Sequence, residues 1–371
     1  MMLSGGATLA GSDSPNACLV SSAIGTNARL ADGTFIGAST FVVAFRMMGG
    51  EPTGGISAAG VPTIDLAEAL TGDINARQRT AAALDAAACD SGFFVVTGHS
   101  VPQTLIDDTL TVAREFFALP VEEKNRSSTD QSYRGYQAMS ATTLAKTIGD
   151  ESPPDLSESF NIGRHDEEVD VGDSLDAQAM CHPNLWPEHP SRLQPIFESY
   201  FAALDALSAD LLRLLAIGVG VPHDTYVSRN EYANSTMMLV NYYPSVDFVP
   251  PVGQLRRGAH TDYGTITLLY AESEPGLQIR RNGEWIDVPA APGGFIVNIG
   301  DLLSTWVGGR WTSTMHRVLV PDGRANRDRM SIPFFVHPDF YTEIPTSGPD
   351  GAGVVRAGEW IAKKSRSMAT N

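Results

Sequence analysis

The chain has 371 residues, enough for one large domain or two ordinary ones with a sizeable core. Its 43 acidic against 26 basic residues give a formal charge of -17, which speaks against nucleic acid or an anionic membrane as a partner. The cysteines Cys18, Cys89 and Cys181 are odd in number and widely spaced, so neither a disulfide framework nor a metal knuckle is expected.

Isolated thiols suit a reducing cytoplasm, which is the expected compartment. No apolar run approaches the roughly 18 to 20 residues of a membrane span, and no secretory signal is readable. Residues 1–55 are rich in Gly, Ala, Ser and Thr without a sustained period. Such a segment buries too little apolar surface to offset chain entropy, so a disordered leader is expected, with Met47 or Met48 as an alternative start.

Organised sequence begins with the strand-like Val61 to Leu66, followed by helical spacing over Ala76 to Cys89. Gly92 to Val96 reads as a buried strand closed by a turn, residues 103–118 return to helical period, and Pro120 stops them. From 125 to 192 the pattern is polar, irregular and proline-bearing, as in long ordered loops. Leu193 to Ile217 is a further helix. After Met237, short apolar segments alternate with Gly, Pro, Asn and Asp: Met238–Tyr243, Thr265–Tyr270, Gly276–Arg280, Glu284–Val288, Phe295–Ile299, His316–Val320 and Arg329–Val336. Asn282-Gly283 between two of them marks a hairpin, because both tolerate positive φ. The second half therefore predicts a barrel or double-sheet jelly roll, and the whole an α+β protein.

Two histidines stand out by context. In an extended chain residues i and i+2 face one side, so His260-Thr261-Asp262 presents an imidazole and a carboxylate together. His316 opens a later strand that can pass beside them in a closed sheet. Two imidazoles and one carboxylate leave adjacent positions open on a metal, as non-haem Fe(II) oxygenases require. Zinc is the competing metal, and an isolated His-x-Asp is more often a loop pair bonded to backbone.

The surroundings of these residues bear on that choice. His260-Thr261-Asp262-Tyr263-Gly264, Gly276-Leu277-Gln278-Ile279, Gly283-Glu284-Trp285-Ile286, Val297-Asn298-Ile299-Gly300-Asp301, His316-Arg317-Val318 and Arg329-Met330-Ser331-Ile332-Pro333-Phe334-Phe335 occur in this order. Pro62 to Leu66, Gly92-Phe93-Phe94, Ala113 to Pro120, Arg134-Gly135-Tyr136 and Asn184 to Pro187 precede them. Together they resemble the isopenicillin N synthase-like family of Fe(II)/2-oxoglutarate dioxygenases over residues 61–345. The resemblance departs at Gly98-His99-Ser100, where Asn-His-Gly is usual, and at Leu239, where an arginine is frequent.

The resemblance implies a double-stranded β-helix, or jelly roll, flanked by helices, with Fe(II) held by His260, Asp262 and His316. By the same comparison, residues 56–190 are an N-terminal dioxygenase region, 191–345 a helix plus the catalytic core, and 346–371 a C-terminal segment. 2-Oxoglutarate and O2 are the implied co-substrates, and succinate and CO2 the implied by-products. Arg329 and Ser331 share a face, and a guanidinium beside a hydroxyl suits a carboxylate; the family uses such a pair, with a tyrosine here represented by Tyr243, for the distal carboxylate of 2-oxoglutarate. Arg327 has the same parity, but the turn-like Gly323 to Asn326 precedes it, so the strand is expected to begin near Arg329.

Tyr136, Phe160, Tyr263 and Phe335 occupy places that often line the family's substrate pocket. His99, His182, His189, His223 and His337 are read as surface or structural residues. The implied activity is oxidation, by default hydroxylation, of an unactivated C–H bond in a small specialised metabolite. A 2-oxoglutarate-free Fe(II) oxidase and a non-catalytic jelly-roll binding protein are the alternatives.

Overall fold

The computed structural model describes residues 60–128, 133–149, 153–227, 233–245, 248, 250–272, 276–320, 327–348 and 351–367. The expected leader and the turn at 323–326 lie outside the described residues.

The chain opens with strand β1 (Thr63–Asp65), the short helix α1 (Ala67–Leu70) and helix α2 (Ile74–Asp90). Asp73 caps α2 by accepting from the Ala76 N–H at 2.5 Å. Strand β2 (Phe93–Thr97), helix α3 (Gln103–Phe117) and the single turn α4 (Val121–Lys124) follow, with Pro120 at the entry to α4. The stretch expected to be loops departs from that reading. It contributes strands β3 (Gly135–Gln137) and β4 (Glu158–Gly163) and the short helix α5 (Leu175–Met180). Helix α6 (Leu193–Val219) is the long apolar helix, ended by Gly220 at φ +84°.

Strands β5 (Met237–Tyr243), β6 (Arg257–His260), β7 (Ile266–Ala271), β8 (Leu277–Arg281), β9 (Glu284–Asp287) and β10 (Phe295–Ile299) come next. The β8–β9 hairpin turns on Asn282 at φ +52° and Gly283 at φ +86°, as the dipeptide predicted. Helix α7 (Asp301–Trp306), strands β11 (His316–Val318) and β12 (Arg329–Val336), the hairpin β13 (Glu343–Gly348) with β14 (Gly351–Arg356), and helix α8 (Ala357–Arg366) complete the order.

One sheet runs β1-β2-β10-β7-β12-β5-β4-β3 and a second β6-β11-β8-β9. All ladders are antiparallel except β1 with β2. Side chains alternate across the larger sheet. Phe94, Val96, Phe160, Ile162, Met238, Val240, Leu268, Val297, Ile332 and Phe334 form its outer core with Phe116, Phe197, Leu204 and Leu211 of α3 and α6. Phe93, Val95 and Ile296 face the other way and close against Leu277, Ile279 and Val318 of the smaller sheet. Two sheets facing each other with helices on one outer side make the jelly-roll core of an α+β protein.

Candidate metal centre and its cavity

Strand β6 ends on His260, and β11 begins on His316; the two are register partners, with ring centroids 4.3 Å apart. Asp262 does not share a strand with His260, which corrects the simple i, i+2 picture. The chain leaves the smaller sheet after His260 and enters the larger one at Ile266, with Asp262 in the crossing. This crossing needs two close backbone approaches. A Cβ on Gly300 would lie 2.4 Å from Gly264 O, and one on Gly264 would lie 2.5 Å from Val336 O. The Gly300 and Asp301 N–H groups donate to Thr265 O and Asp262 O, each at 2.8 Å, and so tie the corner to the head of α7.

Hydrogen bonds set the presentation of each ring. Nδ1 of His260 meets Gly258 O at 2.7 Å and Nδ1 of His316 meets Thr314 O at 3.1 Å. A carbonyl only accepts, so each Nδ1 carries a proton and Nε2 is the nitrogen left to face a metal. Those Nε2 atoms lie 3.6 and 3.7 Å from Asp262 Oδ1. Asp262 Oδ2 accepts from Thr267 Oγ1 at 2.6 Å and Asn298 Nδ2 at 2.8 Å, so Oδ1 is the oxygen left toward the imidazoles. Burial, reinforced by the charge of His316, pushes His260 down to about 3, and its ring is neutral near pH 7. Burial opposes ionisation of Asp262, but both histidines and the two hydrogen bonds outweigh it and hold the carboxyl below its usual range. The three ligand atoms lie within 4.8 Å of one another, within reach of one ion. An imidazole nitrogen from each histidine and a carboxylate oxygen fit Fe(II).

The three residues line a cavity of about 840 Å3 between the sheets. Arg329, Ser331 and Tyr243 line it as well. Arg329 is register partner of Tyr243, its guanidinium carbon is 5.3 Å from that ring, and Tyr243 Oη is 3.2 Å from Ser331 Oγ. Arg329 is 2% exposed and opens β12, whereas Arg327 is exposed and precedes the strand. Although the whole chain is acidic, the lining carries Arg134, Arg257 and Arg329.

Tyr136, Tyr263 and Phe335 reach the cavity; Phe160 does not. On β4 the alternation sends Phe160 outward, edge-on to Phe116 at 4.8 Å, and turns Asn161 inward. Tyr136 donates its hydroxyl to Glu158 Oε2 at 2.6 Å, and Lys124 donates to the same oxygen at 2.5 Å. His337 is buried in the lining, its Nδ1 fixed by Ser235 O at 2.8 Å, and burial pushes it down to about 4.

Sequence reasoning passed over Thr267, Asn298, Asn241 and Arg257. Arg257 donates to Asn241 Oδ1 at 2.5 Å and to Thr142 Oγ1 at 3.1 Å, beside Ser331. Period-two counting back from Tyr243 would have found Asn241, Leu239 and Met237, all of which line the cavity. No such count reaches Arg257, because Arg-Gly-Ala-His has little strand signal.

Comparison with known proteins gives one direction. A family model for the 2OG-Fe(II) oxygenase superfamily matches residues 234–338, and one described as non-haem dioxygenase in morphine synthesis N-terminal matches 61–189. The validamycin A dioxygenase of Streptomyces hygroscopicus subsp. limoneus is 34% identical, covering 84% of this chain and 87% of that protein. A homoarginine-6-hydroxylase of Oryza sativa subsp. japonica is 34% identical over 69% of this chain and 77% of its own length. Among solved structures, a full-length Neurospora crassa protein in complex with alpha-KG and thymine superposes with a TM-score of 0.72 at 26% identity, covering 85% of this chain and 100% of that one.

Proposed function

The chain belongs to the 2OG-Fe(II) oxygenase superfamily, and from that premise we propose that it hydroxylates a C–H bond of a small specialised metabolite. It is a 2-oxoglutarate-dependent dioxygenase that uses Fe(II), 2-oxoglutarate and O2 and acts on a small molecule. The 2-oxoglutarate-free oxidase and the non-catalytic binding protein are not favoured by these relatives.

His260 Nε2, His316 Nε2 and Asp262 Oδ1 would hold the iron. Fe(II), when bound, supplies the activation of dioxygen that accompanies decarboxylation of 2-oxoglutarate to succinate and CO2. The protein's part is binding and orientation. Arg329 would grip the distal carboxylate through charge-assisted hydrogen bonds, with the Ser331 and Tyr243 hydroxyls fixing its angle. Leu239, Leu269 and Pro333 give the intervening wall an apolar surface that keeps water from the reacting carbon. Tyr136, Tyr263 and Phe335 are assigned to substrate.

The observation that carries this reading is the convergence of the two Nε2 atoms on Asp262 Oδ1 in the cavity that Arg329, Ser331 and Tyr243 also line. We keep residues 56–190, 191–345 and 346–371 as N-terminal region, core and C-terminal segment. Three widely spaced cysteines suit action in the cytoplasm, and the charge of -17 suits a small substrate rather than nucleic acid.

A small-molecule library assayed for succinate tests the reading. The expected hit forms one succinate per hydroxylated product, and only with Fe(II) and 2-oxoglutarate present. Product with oxygen uptake but no succinate would restore the oxidase, and bound ligand without turnover would restore the binding protein.

A further inference from the structure

On the inner face of the larger sheet the side chains fall into rows, set by the strand register. Arg329 pairs with Tyr243, and Ser331 with Asn241; these rows form the co-substrate end of the cavity. Moving along β5, Leu239 pairs with Asn161 of β4, and Met237 with Gly163. Asn161 is 3% exposed and lines the cavity, yet its Oδ1 has no hydrogen-bond partner. Among the described residues nothing donates to or accepts from its amide. A buried, unmet polar atom costs stability unless a ligand meets it.

One row beyond stands a positive charge. A Cβ on Gly163 would lie 2.1 to 2.6 Å from three nitrogen and carbon atoms of the Arg134 guanidinium, so this group occupies the space over Gly163, on the same face as Asn161. Along a strand that separation is about 7 Å. Arg134 is fully buried and donates to two backbone carbonyls, of Tyr133 and Met180; no carboxylate is bonded to it among the described residues. Leu239, where the family often has arginine, leaves the wall between Asn161 and the co-substrate end uncharged.

We propose that Asn161 selects the primary substrate by accepting a hydrogen bond from a neutral O–H or N–H, as in an alcohol or carboxamide, while Arg134 excludes a cationic group from the same place. This rests on the proposed oxygenase reading. The two features set separate requirements. Oδ1 requires a donor, and the neighbouring guanidinium, bonded to no carboxylate among the described residues, repels an ammonium that would otherwise supply one. Asn161 is on this account a specificity-determining residue, and the substrate presents a neutral hydroxyl or amide N–H, not an ammonium, at that end.

The test uses three fragments on one six-carbon ring: trans-cyclohexane-1,2-diol, cyclohexanecarboxamide, and cyclohexylamine as its cation. Each is titrated anaerobically into full-length Fe(II)-loaded protein with 2-oxoglutarate, and binding is followed by ligand-observed NMR. The diol and the carboxamide are expected to bind at least about tenfold more tightly than the cation, as one satisfied buried hydrogen bond implies. Asn161→Leu is expected to weaken the diol and the carboxamide about tenfold and so narrow that ranking, and Asn161→Asp to move it toward the amine; a purely structural asparagine would change no ranking. Equal or tighter binding of the cation to the wild type, no binding of either neutral fragment, or undiminished binding of both neutral fragments by Asn161→Leu would overturn the proposal. Failure of 2-oxoglutarate itself to bind the wild-type protein would count instead against the co-substrate site.

Discussion

Arg327 and Arg329 share a strand parity but not an environment. The first is exposed ahead of β12; the second is 2% exposed within it, facing the ring of Tyr243. Removing a buried, charge-paired arginine costs its ligand roughly 2 to 5 kcal/mol, whereas an exposed one contributes roughly 0 to 1 kcal/mol. Arg329→Gln is therefore expected to raise the 2-oxoglutarate requirement at least about tenfold with iron still bound, and Arg327→Gln to change it little. Titrating 2-oxoglutarate against both variants checks this, and the reverse order would move the anchor to Arg327. The distinction was legible because the apolar run Ile332 to Val336 marks where the strand begins. Phe160 was not legible in the same way. Its place in the family pattern suggested a pocket, but the parity of β4 points it into the Phe116 and Phe197 cluster. Phe160→Ala should lower stability by roughly 3 to 5 kcal/mol in urea unfolding. A small loss of stability with a large change in substrate KM would return Phe160 to the pocket.

At the scale of elements, Thr267 of β7 and Asn298 of β10 are register partners, and both donate to Asp262 Oδ2. Two adjacent strands thus hold the carboxylate at a crossing that lies outside any strand. Groups that orient a metal ligand typically contribute about 10- to 100-fold to metal affinity. Thr267→Val and Asn298→Leu are each expected to weaken Fe(II) binding by that order in a chelator competition, with Thr267→Ser close to the wild type. Unchanged affinity in both would show that the corner formed by Gly264 and Gly300 suffices to orient Asp262. Strands β5, β7 to β10 and β12 were readable from short apolar runs between turn residues, and α2, α3 and α6 from helical spacing. Strands β3, β4 and β6 were not. They are short and carry glycine, arginine and polar residues, because one face of each serves the cavity rather than the core. The β13–β14 hairpin and α8 escaped for another reason: the family pattern stops near residue 345, and Ile361 and Ser365 reach the cavity from outside it.

Across the molecule, the proposed site depends on a division between the two sheets. The smaller sheet carries both histidines and the larger carries the proposed co-substrate anchor, while Asp262 stands where the chain passes between them. No helix among the described residues is long and apolar enough to cross a membrane. The proposed ligand set was readable before any geometry, since His260, Asp262 and His316 sit in a long ordered match; the routing that brings them together was not, because it depends on glycine contacts distant in sequence. The most direct test of the account is the iron content and succinate release of His260→Ala, Asp262→Ala and His316→Ala, measured together on folded protein. The account predicts that each variant keeps the wild-type circular dichroism spectrum, loses stoichiometric Fe(II) and releases no succinate above background. A variant that retained both near wild-type levels, supplied only with its endogenous iron, would contradict the assignment of that residue to the metal.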